Sequence, residues 1–590
     1  MKNIRPKVDA VIIGLGWCGS LMAEELTRAG LNVVAIERGP WVETATDFPP
    51  SVDTDELRWD TRRSMLLPQA VETSTFRNNS TQQALPTRDW NLNEMGNNVG
   101  GAGTHWAGMA WRFTPYDLQP YTMTVARYGK EKIMPGLILQ DWGVTYDELE
   151  PFYDRFEKIA GVSGKAGKLN GKIIPGGNPF EGNRSSEYPL PPLATMRLTD
   201  IFTEASYKLG YHPFMVPAGQ ASQAYVNPLG VRMGPCTYCG YCLYYGCGNF
   251  SKSSPNACVI PALMQRGNFT VLTESAVVRI NKAEDGKTAT GVTYIDRNNQ
   301  EWEQPAGIVV LSAFQMQNVR MLLLSKIGKP YNPQTKKGVV GRAYNFQTVA
   351  GASLFFKDEN LNQFIGAGAL SAQIDDFNGD NFDHSDLDFI GGAGLLVVAR
   401  GSRPIGNADF LPPETPRWGS EWKKAYTHAF QNATGIFGQG TSYADEESYL
   451  DLDPEYKDNY GLPLLRLTYD YNQNDRNMAK YLEEKSVGIG KAMGAEIVIG
   501  TNSASGSYSP YNLASDHTIG GAVMGLDPET SVLNRYQQSW DLHNLFVLGA
   551  SSFPNNAGYN PTGTIGALSL WTAKAIIDQY IKNPGPLVKD

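Results

Sequence analysis

Three groups of residues in this chain have types and spacings that could do chemistry. Near the C-terminus His517 precedes Thr518-Ile519-Gly520-Gly521, and Asn560-Pro561-Thr562-Gly563-Thr564 follows later. An imidazole titrates near neutrality and suits the removal of a hydroxyl proton, while an amide can hold the same oxygen by a hydrogen bond. A long helical pattern starts near Thr562, so its positive end would face whatever Asn560 touches. A lone histidine before glycines is more often structural. The chain has only six histidines, however, and His105 and His517 both lie in glycine motifs.

The second group is Cys236-Thr237-Tyr238-Cys239-Gly240-Tyr241-Cys242 with Gly246-Cys247, four of six cysteines within twelve residues. Thiolates crowded in this way can converge on one iron–sulfur cluster, where bridging sulfides draw several ligands from a single loop. Zinc is the alternative, although its cysteine pairs are usually separated by a long spacer. A disulfide framework in a chain of this size would be spread more widely. Cys18 and Cys258 read as packed thiols.

The third group is glycine-rich. In Gly14-Leu15-Gly16-Trp17-Cys18-Gly19 the first glycine permits a tight turn, the second lets backbone approach a pyrophosphate, and the third lets helix pack on strand. Glu37, at the end of the next strand, is spaced to accept hydrogen bonds from ribose hydroxyls. A bare G-x-G-x-x-G is weak, but flanked by strands and followed by this acid it favours a dinucleotide, without separating FAD from NAD. The segment Asn97-Asn98-Val99-Gly100-Gly101-Ala102-Gly103-Thr104-His105-Trp106 is either a flexible loop or a close wrap around a flat ring, with His105 at the ring edge.

These residues need elements to position them. Val11 to Ile13 reads as a buried strand, Leu21 to Ala29 as a helix and Leu31 to Ile36 as a second strand. Residues 48 to 93 are polar and irregular, a long excursion before the second glycine cluster. Val271 to Val278, Gly291 to Ile295 and Gly307 to Leu311 read as strands, with a helix around Val319 to Ser325. In the middle of the chain Leu395 to Val398 is a continuous apolar run, and Leu465, Leu467 and Tyr469 alternate with Arg466 and Thr468, which suggests a sheet-rich unit. Proline-rich stretches at 175–192 and 404–416 read as crossings between domains. Leu545 to Leu548 is a last strand before an amphipathic helix from Thr562 to Ile581. No internal repeat is present.

A length of 590 residues suggests at least two domains. The net charge of −9 and the lack of any basic run argue against a nucleic-acid partner. No segment reaches the roughly 18 apolar residues of a membrane span. The basic N-terminus precedes an apolar run too short for a signal peptide, so that run reads as the first strand, and any export would rely on a partner.

Taken in order, the His517 and Asn560 motifs and the two glycine motifs resemble the glucose–methanol–choline family of flavin oxidoreductases. Val340-Gly341-Arg342 and Asn544-Leu545-Phe546-Val547 add to the likeness, which spans essentially the whole chain. Within the family the chain is most similar to membrane-associated dehydrogenases of gluconate, 2-ketogluconate, sorbitol, fructose and glucose, through Gly100 to Phe113 and Tyr146 to Pro151. The resemblance implies an α/β (α+β) architecture: a Rossmann-type FAD-binding domain over 1–342 with a cysteine-rich loop at 215–258, a sheet-rich substrate domain over 343–515, and a C-terminal return to the FAD domain over 516–590.

It further implies that His517 is the catalytic histidine and Asn560 its partner. FAD contacts are expected at Gly14, Gly16, Trp17, Cys18, Gly19, Glu37 and Arg38 in the first motif. In the second they are expected at Gly100, Gly101, Gly103, Thr104 and His105, with His105 a candidate for covalent attachment, and elsewhere at Val277, Ala550, Asn560, Pro561 and Thr562. A 3Fe–4S cluster is implied at the cysteine loop, with Cys236, Cys242 and Cys247 the best-spaced ligands and Cys239 an extra thiol. Two departures stand out: Ser312-Ala313-Phe314 lacks the family's glycine, and Gly549-Ala550-Ser551 lacks its aspartate. The implied reaction is oxidation of a sugar acid or polyol, D-gluconate to 2-keto-D-gluconate first among them, by hydride transfer to flavin N5. The electrons would pass to a multi-haem cytochrome c subunit at the periplasmic face of the inner membrane, which the flavoprotein reaches with a small exported companion subunit. A family oxidase using oxygen is the alternative.

Overall fold

The computed structural model describes residues 3–48, 55–59, 65–88, 95–397, 399, 401, 404–406, 410–511 and 517–588. Part of the irregular stretch expected over 48–93, part of the crossing over 404–416, and Val398 lie outside the described residues.

Val8–Ile13 and Val33–Ile36 are short apolar runs rich in β-branched residues, almost wholly buried on both faces, as parallel strands covered by helices must be. They form the centre of an eight-stranded sheet. Its order runs Phe269–Leu272, Val33–Ile36, Val8–Ile13, Glu301–Leu311, Ala289–Ile295, Ala276–Lys282. The long strand Glu301–Leu311 serves two ladders. Its C-terminal half pairs in parallel with Val8–Ile13 and with Leu545–Val547, while its first half pairs antiparallel with Ala289–Ile295. Asn3–Ile4 adds at its edge, so the basic N-terminus is part of the sheet.

A second, six-stranded sheet is antiparallel throughout, in the order Ile497–Asn502, Thr348–Phe355, Ala433–Gly440, Ala393–Val397, Ala372–Ile374, Phe214–Met215. Phe214–Met215 joins this sheet although it precedes the middle of the chain. Likewise Ser74–Arg77 pairs in parallel with Pro463–Thr468 in a four-stranded sheet, so segments far apart in sequence are knitted together.

Five helices matter for the site: α1 (Trp17–Arg28), α2 (Tyr146–Ala160), α3 (Gln315–Leu324), α4 (Gln473–Ala492) and α5 (Thr562–Ala575). Thr145 and Glu148 form a capping box that starts α2, and Gly161 in the left-handed conformation ends it. α4 covers the antiparallel sheet. α5 departs from the amphipathic helix expected: it is buried nearly all round because it runs between α1 and α2, and it closes in a π-helical turn, Ile576–Tyr580. One continuous hydrophobic core reaches from Val11 and Val309 in the first sheet to Ala352 and Leu395 in the second.

Candidate functional site

A cavity of about 940 Å³ opens where the parallel strands end, with walls from both large sheets. In open α/β sheets this is where ligands bind. Gly14 turns the chain out of the first strand at φ +88°, and a Cβ there would lie 2.7 Å from the Ser312 carbonyl oxygen. At Gly16, the N-cap of α1, a Cβ would meet nothing nearer than 3.8 Å, so the space ahead of the uncapped helix stays open. At Gly19 a Cβ would stand 2.0 Å from the Gly14 carbonyl oxygen. The three glycines thus meet the three steric needs read from their spacing.

Of the residues expected to touch a cofactor, Gly14, Gly16, Trp17, Cys18, Glu37, Arg38, Gly101, Gly103, His105, Val277, Ala550, Asn560, Pro561 and Thr562 line this cavity. Gly19, Gly100 and Thr104 do not: Gly19 packs helix on strand, and Gly100 takes φ +102° where a Cβ would strike Asn256 Oδ1. Glu37 Oε2 accepts from Leu15 N at 2.9 Å and Oε1 from Gly39 N at 2.9 Å. These amides fix the buried carboxylate and leave its remaining lone pairs for a ligand hydroxyl; burial raises its pKa while the two amides pull it down.

The sequence reading missed an ion network on the same wall: Glu72 Oε2 lies 3.2 Å from Arg38 Nη1 and 2.9 Å from Arg320 Nη1, and Arg320 Nη2 lies 2.6 Å from Asp458. Where the family glycine is missing, Phe314 adopts φ +78° as the N-cap of α3. The chain keeps the glycine conformation with a side chain on it, at a cost of order 1 kcal/mol.

The cavity also holds His517. Its Nδ1 is 2.7 Å from Gln347 Oε1 and 3.3 Å from Gln439 Nε2, and its Nε2 is 3.2 Å from Asn560 Nδ2. Gln347 decides the tautomer. Its Nε2 donates to the carbonyl oxygens of Ala557 at 2.6 Å and Tyr559 at 3.2 Å, so its Oε1 must face the ring. An acceptor there puts the imidazole proton on Nδ1 and leaves Nε2 unprotonated. Turning the Gln439 amide, whose oxygen and nitrogen are interchangeable in shape, brings a second acceptor to the same proton. Asn560 Oδ1 is buried without a partner among the described residues. The side-chain amide therefore sits beside the bare nitrogen with polar capacity to spare, as a hydroxyl ligand would require. Neither glutamine was flagged by the sequence, because each sits within or beside an apolar strand.

Cys236, Cys239, Cys242 and Cys247 line one small cavity together with Lys252 and Gln220. All six cysteines are free thiols. Tyr238 N donates to Cys236 Sγ at 3.4 Å and Lys252 N to Cys247 Sγ at 3.5 Å. Burial pushes the Cys236 thiol up to about 11 and the Cys242 thiol to about 12. Among the described residues no group of three or more His, Cys, Asp or Glu side chains is placed to hold a metal ion, so neither the expected trio of Cys236, Cys242 and Cys247 nor that trio with Cys239 is drawn together around one ion. This counts against zinc, whose four sulfurs at ~2.3 Å from one ion would crowd to about 3.8 Å from one another. A cluster offers each thiolate its own iron and takes hydrogen bonds at its sulfurs. The four thiols on one cavity wall are of the donor type that an iron–sulfur cluster takes. Cys242 and Gly366 line both cavities, and Tyr244 N donates to the His105 carbonyl at 2.9 Å, so the cysteine loop rests on the glycine-rich segment. Cys18 and Cys258 are buried, and burial raises them to about 11 and about 12.

Comparison with known proteins adds to this geometry. Two models described as GMC oxidoreductase match residues 140–349 and 444–569. The chain is 45% identical to the gluconate 2-dehydrogenase flavoprotein of Pantoea cypripedii, covering 100% of this chain and 96% of that one. It is 27% identical to the fructose dehydrogenase large subunit of Gluconobacter japonicus, over 98% of this chain and 99% of the other. Among solved structures it resembles pyridoxine 4-oxidase from Mesorbium loti, with a TM-score of 0.60 and 18% identity over 98% of this chain and 100% of that one. A formate oxidase matches with a TM-score of 0.59 and 14% identity over 99% and 100%.

Proposed function

This chain belongs to the GMC oxidoreductase family, and from that premise we propose that it is the flavoprotein of a dehydrogenase that oxidises the C2 hydroxyl of D-gluconate to the ketone. At the coarser level it is an FAD-dependent dehydrogenase of alcohols or sugars, as the family and the full-length likeness establish. The observation that supports the finer reading is the 45% identity along the whole chain to a gluconate 2-dehydrogenase flavoprotein.

The residues present fit FAD. Gly14 and Gly16 clear the approach to the α1 N-terminus, Trp17 Nε1 is a buried donor with no protein partner on the cavity wall, and Glu37 offers acceptors for ribose hydroxyls. Bound FAD supplies a two-electron acceptor for the hydride that leaves the carbinol carbon. His517 Nε2 takes the hydroxyl proton as the C–H bond breaks, so the alcohol loses one hydride and one proton and becomes a carbonyl. Gln347 keeps that nitrogen unprotonated by accepting a hydrogen bond from Nδ1–H. Asn560 holds the substrate oxygen beside it. The first turn of α5 presents backbone N–H groups and the positive helix end to charge accumulating nearby. His105, buried on the cavity wall, is the candidate for covalent attachment.

For electron exit we infer an iron–sulfur cluster, of the 3Fe–4S type, held by Cys236, Cys242 and Cys247 with Cys239 beside them. Its support is the shared cavity, the N–H donors to sulfur and the contact of the loop with the His105 segment. A cytochrome c subunit and a small companion subunit at the periplasmic face complete the proposal, on the strength of the family resemblance alone. Among the described residues no helix is long and apolar enough to cross a membrane.

Steady-state assays with an artificial electron acceptor over gluconate, 2-ketogluconate, sorbitol, fructose and glucose test the substrate. The highest kcat/KM is expected with gluconate, with 2-ketogluconate as product. A higher value for any of the other four would replace gluconate as the substrate.

A further inference from the structure

Lys252 is a buried cation that the reaction at His517 does not use. Its side chain is almost wholly enclosed in the wall of the cysteine cavity. The Nζ donates to three backbone carbonyls, Trp106 at 2.8 Å, Cys242 at 2.8 Å and Tyr245 at 2.6 Å. Three acceptors at these distances need three N–H bonds, which an ammonium has and a neutral amine lacks. The carbonyls satisfy its hydrogen bonds but bring no negative charge, and among the described residues no carboxylate pairs with it. A buried ammonium without a counter-charge is costly. The backbone N–H of Lys252 donates to Cys247 Sγ at 3.5 Å and its Nζ to the Cys242 carbonyl, so the ammonium stands in the wall that the four cysteines share, where a thiolate-held cluster would bring negative charge. One of its three carbonyls follows His105, and the other two belong to the cysteine loop, so the same side chain ties the cluster segment to the flavin segment.

We propose that Lys252 is the fixed counter-charge of the iron–sulfur cluster and holds its reduction potential up. The inference rests on the cluster reading above. A positive charge beside the cluster favours its reduced form, so removing that charge makes the cluster harder to reduce. Neighbouring charge and burial are among the established controls of such potentials.

The test uses the full-length holoenzyme and two variants, Lys252→Gln, which keeps donors but no charge, and Lys252→Arg, which keeps the charge. Iron and acid-labile sulfide per flavin, the low-temperature EPR signal and its redox titration are read for each. In Lys252→Gln, either the cluster is retained with its potential lowered by about 59 mV, a tenfold change in a one-electron equilibrium, or iron is lost. Lys252→Arg is expected to keep both iron and potential. Iron retained in Lys252→Gln at the wild-type potential would overturn the proposal, as would loss of iron from both variants, which marks a purely geometric tie. Should Lys252→Gln fail to bind flavin, the arginine variant decides alone: a wild-type potential supports the charge role, and lost iron or a shifted potential overturns it. Wild-type protein with flavin but no iron would sink the cluster reading, and this proposal with it, while leaving the reaction at His517 standing.

Discussion

At the scale of single residues, the account turns on which nitrogen of His517 is bare. Gln347 fixes this through two hydrogen bonds that orient its own amide. Replacing it by leucine removes the acceptor at Nδ1 and frees the ring to rotate or change tautomer. We expect Gln347→Leu to lower kcat/KM roughly tenfold to a hundredfold, with FAD still bound. Gln347→Glu places a carboxylate at Nδ1 and favours the imidazolium, so the acidic limb of its rate profile should move to higher pH. Unchanged kcat/KM in Gln347→Leu together with an unchanged pH–rate profile in Gln347→Glu would remove Gln347 from the account. The histidine, the asparagine and the cavity-lining glycines were legible in the sequence because their types and spacing are unusual. Gln347, Gln439 and Lys252 were not: each is a polar residue whose meaning comes only from partners distant in the chain.

At the scale of elements, two contacts decide how the helix before the site is held. A Cβ on Gly563 would lie 1.9 Å from the Trp111 carbonyl oxygen, a backbone atom that cannot move aside. Gly563→Ala should therefore push the start of α5 off Trp111, destabilise the fold by about 1–3 kcal/mol, and reduce flavin content on purification. Normal flavin content with an unchanged melting temperature would show that α5 does not need this close approach. The turn before α5 is anchored through Tyr559, whose hydroxyl donates to Asp375 Oδ2 at 2.5 Å, where Asn178 Nδ2 also donates. Burial raises Asp375 to about 6 despite these donors.

A raised carboxyl contributes stability that is complete below its unfolded value near pH 4 and is lost as the pH rises through about 6. Relative to Asp375→Asn, the wild type should thus lose stability between pH 4 and pH 7, by about 3 kcal/mol at most. Parallel melting profiles of the two proteins over that range would contradict the shift. Asp117, raised to about 6 by burial and by the Asp375 charge, titrates in the same window, so the difference between the two proteins reports Asp375 together with its effect on Asp117. The strands and α1 were readable because their apolar runs and glycines act locally. α5 was misjudged as amphipathic because its second partner, α2, is set by tertiary packing that no local period records.

At the scale of the whole molecule, the cavity is a joint between a mostly parallel sheet, which ends in the glycine turns, and an antiparallel sheet, which supplies Gln347, Gln439 and the apolar wall around them. The first sheet was visible in the sequence in outline. The second was visible only as scattered strand signals, since its strands come from positions as distant as Phe214 and Ile497. The large cavity and the cysteine cavity are adjacent because Cys242 belongs to both. The central claim is that a hydroxyl group bound beside His517 delivers its hydride to a flavin in this joint. It is tested most directly by mixing the purified protein with D-gluconate under anaerobic conditions while following the flavin absorbance. The account predicts rapid bleaching in the wild type. It also predicts that His517→Ala, though it retains flavin, bleaches roughly 10²–10⁴ times more slowly. A wild-type protein without a flavin spectrum, or a His517→Ala variant that bleaches at the wild-type rate, would contradict it.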